Sequence, residues 1–343
     1  MIKKPNFIFI VLVSIFVVVE ILILRPTNIE TGEESAGMFS SIETMIEAQK
    51  VKDEVGYTID GFHYTAVEGE IKQWELLARE AILYEKSRMV HAKEARIRMF
   101  DPVGKVTLIE GDAAQYRMGV RDMDLQGNVK VTFPDGFWLK TAKAHYEGTT
   151  GKITSREPVY GEANVSDLKG ETMQIWGIGF EANKLAPDVF IREQAHVRMH
   201  RADSPEATDV RSDQVRIDRF TKVAYFSMAA GGRFVESKRG TLHVKSRRQE
   251  ATYDADARSL KFLTAYEDVL IRETDAQRMK TGLKYATSQK AEFYTKEDKI
   301  LLSGFPSAYQ EQDTLTGELI VIYRGKNLVE VTHANAYHEG TQR

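Results

Sequence analysis

VFIREQAHVRMH, residues 189–200, alternates apolar side chains with charged or polar ones. In an extended chain Val189, Ile191, Ala195, Val197 and Met199 share one face, and the polar residues between them share the other. A strand with one apolar and one wet face is typical of an antiparallel sheet that covers a core on one side. The stretch therefore predicts a β-sheet protein.

The same alternation recurs along most of the chain after residue 57. ARIRMF (95–100) and NVKVTF (128–133) repeat it, and no convincing helical period follows residue 50. A larger unit also recurs: an aromatic residue ends one strand, a polar turn follows, and a new apolar strand begins. Such hairpins cannot bury their apolar faces alone, so they predict an extended array of stacked hairpins. The anchoring tyrosines of this unit are Tyr84, Tyr116, Tyr146, Tyr253, Tyr294 and Tyr323.

Composition restricts the possible functions. The 343 residues include 47 basic and 50 acidic side chains, a net charge of −3 that argues against a nucleic-acid binder. There is no cysteine, which excludes disulfides, thiol nucleophiles and cysteine metal sites.

The N-terminus predicts a membrane anchor. FIFIVLVSIFVVVEILIL (7–24) is apolar over about 27 Å of helix, and Lys3 and Lys4 precede it. The position of these lysines places the N-terminus in the cytoplasm and the rest of the chain on the far side of the membrane. Glu20 is either a contact for a partner membrane helix or a side chain reaching toward the interface.

These patterns divide the chain into segments. We expect a cytoplasmic stub and anchor at 1–24, a linker at 25–56, a β domain at 57–200 and a second β domain at 213–343. The polar segment between the two, residues 201–212, contains Pro205 and reads as a linker.

No motif predicts catalysis or a cofactor. His196 and His200 lie about 13 Å apart on an extended strand, too far for one zinc ion. The acidic pairs Asp122/Asp124 and Asp254/Asp256 sit beside predicted turns, where aspartate is expected for backbone reasons. We therefore expect no enzyme activity, metal or cofactor.

An array of hairpins that does not close leaves a trough. An apolar trough can hold acyl chains, since each buried methylene contributes about 0.8 kcal/mol without any directional bond. We assign the apolar sides of the clearest strands to this lipid-binding groove, with a closed core as the alternative. The candidates are Ile97, Met99, Val129, Val131, Phe133, Val189, Ile191, Val197, Met199, Leu319, Val321 and Tyr323.

Several motifs resemble the LptC family of lipopolysaccharide export. Tyr64-x-x-x-Glu68-Gly69 and RMFDPVGK (98–105) look like the opening of that family, and GDAAQYRMGVRDMDLQGNVKVT (111–132) looks like its middle. SQKAEFYTKEDKILLSGFPSAYQEQDTLTGELIVIY (288–323) is similar to LptA, the soluble bridge protein of the same machine. The resemblance covers about residues 1–200 for LptC, which is ordinarily far shorter and lacks a second domain.

The resemblance implies a fold, a ligand and partners. It implies two open, twisted antiparallel β-jellyrolls of the OstA type, anchored to the inner membrane with the bulk in the periplasm. Lipopolysaccharide would arrive from an inner-membrane ABC transporter, and an LptA-like bridge protein would dock on the last strand, LVEVTHANAY (328–337). The charged tail at 338–343 could protect that edge instead.

Two other functions remain open at this point. One is an anchored structural adapter that binds only protein. The other is a periplasmic glycan-acting enzyme, which would need two facing carboxylates about 5–10 Å apart.

Overall fold

The residues that the computed structural model describes all lie within the unit Ile42–Arg343. These are residues 56–164, 172–184, 186–201, 204–253, 260–275, 283–295, 297–310, 313–326 and 328–338. The expected anchor, Glu20 and residues 25–55 of the expected linker lie outside them. Within the described residues, no helix has the length and apolarity needed to span a bilayer.

Regular structure in the described residues is β-strand, apart from a single 3₁₀ turn at Arg324–Lys326, which confirms the mainly β prediction. The first nine strands are mostly long, and many later ones are short. The strands are β1 (Tyr57–Glu68), β2 (Ile71–Tyr84), β3 (Met89–Phe100), β4 (Val106–Arg117), β5 (Asp122–Thr132), β6 (Trp138–Glu147), β7 (Lys152–Asn164), β8 (Thr172–Asn183), β9 (Asp188–Arg201), β10 (Ser204–Ser212), β11 (Gln214–Asp218) and β12 (Val223–Ser227). The remainder are β13 (Val235–Arg239), β14 (Leu242–Ser246), β15 (Arg248–Tyr253), β16 (Leu260–Glu273), β17 (Tyr285–Tyr294), β18 (Lys299–Ser303), β19 (Ser307–Gln310), β20 (Asp313–Thr316), β21 (Leu319–Tyr323), β22 (Leu328–Thr332) and β23 (Asn335–His338).

β1 to β9 form an antiparallel meander in which each strand pairs with the next. Nearly every pair breaks register once near its middle. Glu94, Asn128 and Gln194 have positive φ at these breaks (50°, 45° and 52°). A bulge with a left-handed residue bends a strand and increases its twist. Each long strand therefore turns a corner.

The corner divides the sheet into two half-sheets. The first half-sheet contains residues 80–84 of β2, 89–93 of β3, 113–117 of β4 and the strand segments that pair with them. The second contains residues 71–77, 95–100 and 106–111 of the same strands. After β9 the half-sheets continue on separate strands: β11, β12 and β15 extend the first, and β10, β13 and β14 extend the second.

The inner faces of the two half-sheets pack against each other. Trp74, in the second half-sheet, lies edge-on to Tyr116, in the first, with ring centroids 4.9 Å apart. One cluster of buried apolar side chains extends from Trp74 to Ile322. The architecture is a jellyroll-like sandwich whose two layers share their long strands.

The segment expected as a linker is part of this sheet. Ser204–Ser212 is β10, which pairs with β9 on one side and β13 on the other. The register slips between Ser204 and Thr208, and Pro205 lies in that slip, where its missing N–H removes no ladder bond. The expectation of a linker at 201–212 is therefore corrected for Ser204–Ser212: the sheet continues from the N-terminal to the C-terminal half of the chain.

Candidate functional site

The space between the half-sheets contains most of the predicted groove residues. All but Phe133, which directly follows β5, come from the inner face of a strand, and each is at most 4% exposed. In this arrangement their apolar side chains are removed from water by the opposite half-sheet. These residues are Ile97, Met99, Val129, Val131, Phe133, Val189, Ile191, Val197 and Met199.

Three predicted groove residues lie elsewhere. Leu319, Val321 and Tyr323 are half-buried on the outer face of β21, and the buried positions of that strand are Ile320 and Ile322. Tyr323 donates a hydrogen bond to Glu330 there, at 3.4 Å. The reason is that LIVIY has no polar residue to mark its wet side, so the sequence left the face undecided. The interior assignment of these three residues is corrected accordingly.

The inner rows cross the junction between the two halves of the chain without interruption. In the first half-sheet Val189 of β9 pairs with Ile217 of β11, and Ile217 pairs with Ala224 of β12. In the second half-sheet Val197 pairs with Val210 of β10. Pairing carries both rows on to the C-terminal strands. The interior is therefore one continuous apolar layer along the whole described sheet.

Sequence reasoning missed many members of these rows. They alternate like the residues it chose, but lie in strands whose polar face is less regular. The row through Ile97 and Val131 in the second half-sheet also contains Leu76, Ile109, Leu139, Gly161, Ile175, Val244 and Ile271.

Side chains fill this interior. The cavity that opens between Leu242 and Val244 on one side and Leu263, Phe293 and Ile300 on the other has a volume of about 30 Å³. That volume is close to the space one water molecule occupies in the liquid. This cavity is far too small for an acyl chain, so we expect lipid entry there to require separation of the half-sheets.

The turns at the open side of the sandwich form two rims. The first rim comprises residues 85–88, 118–121, 148–151, 184, 186–187, 219–222, 295, 297–298 and 324–326, and the second comprises residues 69–70, 101–105, 133–137, 240–241, 274–275 and 283–284. Backbone hydrogen bonds join neighbouring turns within a rim: the Arg219 N–H donates to Pro187 O at 3.2 Å, and the Lys184 N–H to Gly151 O at 3.0 Å.

Three side chains of the first rim contact the second half-sheet near its rim. Lys184 Nζ donates to Gln73 Oε1 at 3.1 Å, and burial lowers the Lys184 pKa. Arg219 donates to Asp135 at 2.9 Å. Arg324 donates to Glu273 at 3.2 Å. These bridges close the sandwich opposite its corner.

The acidic and histidine side chains that were considered for catalysis or zinc binding in the sequence form pairs with neighbouring side chains where the structure describes them. Asp124 pairs with His145 at 2.7 Å and with Arg117 at 3.0 Å on the outer face. His196 pairs with Asp209 at 2.9 Å. Asp254 and Asp256 lie outside the described residues. Within the part of the chain that the structure describes, no group of three histidine or acidic side chains is placed to hold a metal ion.

Comparisons with known proteins agree with the resemblance in the sequence. Residues 35–186 match the model of the family "Lipopolysaccharide-assembly, LptC-related". Residues 209–327 match the model "LptA/(LptD N-terminal domain) LPS transport protein". No curated protein sequence matched the chain.

Among solved structures, the chain is similar to LptH, described as the LptA homologous periplasmic component of the lipopolysaccharide transport device from Pseudomonas aeruginosa. The identity is 14% and the TM-score 0.35, over 41% of this chain and 100% of that one. The two family matches are separated by residues 187–208, and β9 pairs with β10 across this interval. The chain therefore has an LptC-related region followed by an LptA-like region.

Proposed function

We propose that the chain carries lipopolysaccharide across the periplasm, with the acyl chains between the half-sheets and the sugars outside. The continuous apolar interior is the observation that carries this proposal. It extends from the LptC-related region into the LptA-like region without a change of sheet, and the polar side chains buried within it there include Ser237 and Gln249. A lipid moving along it would not have to leave one apolar compartment and enter another.

Loading requires the half-sheets to separate along the rims. The interior residues then exchange contacts with each other for contacts with acyl chains, and each methylene that leaves water contributes about 0.8 kcal/mol. From β2 to β9 the corner stays intact during this exchange because the same strands form both layers. This part of the chain thus opens as a hinge whose axis is the line of bulges.

The remaining parts of the proposal concern the ends of the chain. Residues 7–24 anchor it in the inner membrane with the N-terminus in the cytoplasm, and Glu20 contacts a membrane helix of the ABC transporter that supplies lipopolysaccharide. At the other end β22 and β23 each pair on one side only among the described residues. An LptA-like bridge protein adds its strands there.

A structural adapter that binds only protein is the second candidate. The packed interior favours it, because a core that never opens offers no space for a lipid. The two functions differ in whether lipid reaches the interior side chains.

A photo-crosslinking experiment separates them. A small diazirine side chain replaces Val131, which is buried between the half-sheets, or Ile320, its counterpart in the LptA-like region. Lys130 and Val321 are the matched controls, one residue away on the outer face. Irradiation is carried out in cells that export lipopolysaccharide, and the adducts are detected with an antibody against the sugar.

Carriage predicts adducts at Val131 and Ile320 and none at Lys130 and Val321. Two results would favour the structural adapter: adducts only at Lys130 and Val321, or no adducts at any of the four positions. The second result counts only for variants with the same thermal midpoint as the parent. Adducts at Val131 without Ile320 would limit carriage to the LptC-related region.

A further inference from the structure

The three bridges that close the sandwich share one polarity. In each, the cation belongs to the first rim and the acceptor to the second half-sheet: Lys184 to Gln73, Arg219 to Asp135, and Arg324 to Glu273. Two of the cations are deeply placed, since the side chains of Arg219 and Arg324 are 11% and 14% exposed. The acceptors are the side chains of Gln73, Asp135 and Glu273.

The rest of the rims follows the same polarity. The described turns of the first rim are mostly basic, with acidic exceptions at Glu85, Glu297 and Asp298, and Asp298 itself binds Arg324 at 3.1 Å. In those of the second rim acidic side chains outnumber the two basic ones, Lys105 and Lys284. The basic side chains of the first rim are Lys86, Arg88, Arg121, Lys184, Arg219, Lys222, Arg324 and Lys326, and the acidic ones of the second are Glu70, Asp101, Asp135 and Asp275.

Arg219 joins the rim to the interior. Its guanidinium carbon lies 4.1 Å from the ring centroid of Phe133, a predicted groove residue that is 2% exposed. Two of its nitrogens donate, to Asp135 and to the Ala186 carbonyl at 3.3 Å, and the third, Nε, is buried without a partner in the structure. Arg219 thus has an unused donor and lies at the edge of the apolar layer. In a lipid whose acyl chains fill that layer, the anionic headgroup would lie at the same level as this guanidinium.

We propose that the first rim binds the phosphate groups of the cargo, with Arg219 as its central residue. When no cargo is present, side chains of the second half-sheet and its rim occupy three of these cations: Asp135 binds Arg219, Glu273 binds Arg324 and Gln73 binds Lys184. This inference rests on the proposed lipid carriage and names its headgroup site. A phosphate ester offers the fork of a guanidinium two parallel acceptors and more charge than a single carboxylate. On loading, phosphate replaces Asp135 at Arg219, and the rim bridge opens in the same step.

The polarity also explains why cargo can slide. Basic side chains lie in five of the seven described turns of the first rim, so a phosphate that leaves one can reach another while its acyl chains stay in the interior. Carboxylates on the second rim repel the headgroup, which keeps it on one side of the opening.

Binding of purified full-length chain in detergent tests the site. The probes are lipopolysaccharide that retains its lipid phosphates and the same material after enzymatic removal of those phosphates. Arg219→Gln removes the charge and Arg219→Lys retains it. Lys245→Gln is the control, since Lys245 is an exposed lysine on β14 that belongs to neither rim. Asp135→Asn removes the competing carboxylate.

We expect Arg219→Gln to weaken binding of the phosphorylated probe roughly tenfold, the factor that loss of a charged hydrogen bond gives. Its binding of the dephosphorylated probe should stay within twofold, Arg219→Lys should recover part of the loss, and Lys245→Gln should behave as the parent. Asp135→Asn should strengthen binding of the phosphorylated probe.

Other results would overturn the inference. Equal loss for both probes in Arg219→Gln would make the residue structural, and weaker phosphate binding in Asp135→Asn would remove the competition. If the parent chain binds both probes equally, the rim has no phosphate site but carriage stands. If it binds neither, the proposed carriage itself fails.

Discussion

Gly161 lies at the tightest point of the inner row of the second half-sheet. It pairs with Leu139 on β6 and Ile175 on β8. A methyl group added to Gly161 would lie 2.5 Å from Leu139 Cδ2 and 2.9 Å from the Trp138 carbonyl oxygen. Ordinary contacts between carbon atoms are about 3.5–4.0 Å, so Gly161→Ala overlaps its neighbour by about 1 Å.

Overpacking of this kind costs about 1–3 kcal/mol, and the lower chain entropy of alanine offsets about 0.4–1 kcal/mol. We therefore expect Gly161→Ala to lower the free energy of unfolding by about 1–2 kcal/mol, seen as a drop of a few degrees in the thermal midpoint followed by circular dichroism. Gly119→Ala is the control: no atom lies within 4 Å of its added methyl, so only the entropy contribution remains and its midpoint should stay level or rise slightly.

A double-mutant cycle identifies the neighbour. Leu139→Ala alone should cost about 2–5 kcal/mol, because Leu139 is fully buried. In that background the methyl of Gly161→Ala enters the vacated space, so the two changes should be less than additive by about 1 kcal/mol. Strict additivity, or a Gly161→Ala variant as stable as Gly119→Ala, would refute the close packing of this interior and would indicate an open trough.

Three further predictions concern charge and assembly. A hydrogen bond from Lys72, with further support from His63 and Arg98, holds the pKa of Glu75 below its ordinary value despite burial. The ionised carboxylate therefore stabilises the fold above about pH 4.5, and this stabilisation disappears as the pH falls below that value. Glu75→Gln should lower the free energy of unfolding by about 1–3 kcal/mol at pH 7 and by little at pH 3, measured by thermal melts at both pH values. Burial lowers the pKa of His91 to about 4, so the parent should lose stability as pH falls from 6.5 to 4, and His91→Leu should lack that part of the slope in the same melts. The chain has no cysteine, so Leu328→Cys on edge strand β22 provides a unique thiol that should crosslink to an LptA-like partner. Lys245→Cys, on β14 inside the sheet, should not crosslink, and equal crosslinking at both positions would argue against docking at the edge.

Alternation in the sequence predicted the fold class and the inner faces of the clearest strands, but not the corner. In residues 189–200 the apolar positions keep the same parity on both sides of the bend, although Gln194 has a positive φ there. The polar run Arg192–Gln194 is the only sign of the bend in this stretch, and it fits the polar face of a straight strand equally well. Because the bend could not be inferred, the division into two half-sheets could not be inferred either.

Other features escaped because local patterns were ambiguous or because the contacts are distant. LIVIY gives no sign of its inner side, and the proline in β10 imitates a linker. The rim bridge from Arg219 to Asp135 joins residues 84 positions apart, and no spacing rule connects two turns that meet only because the sandwich folds over.

The shared strands also determine how such a chain can change in length. Since a strand that turns the corner contributes to both walls, inserting one hairpin into the meander advances both by two strand spacings, about 10 Å, and leaves their registers matched. Reach across a gap could then be adjusted in evolution by duplicating hairpins, with neither wall outgrowing the other.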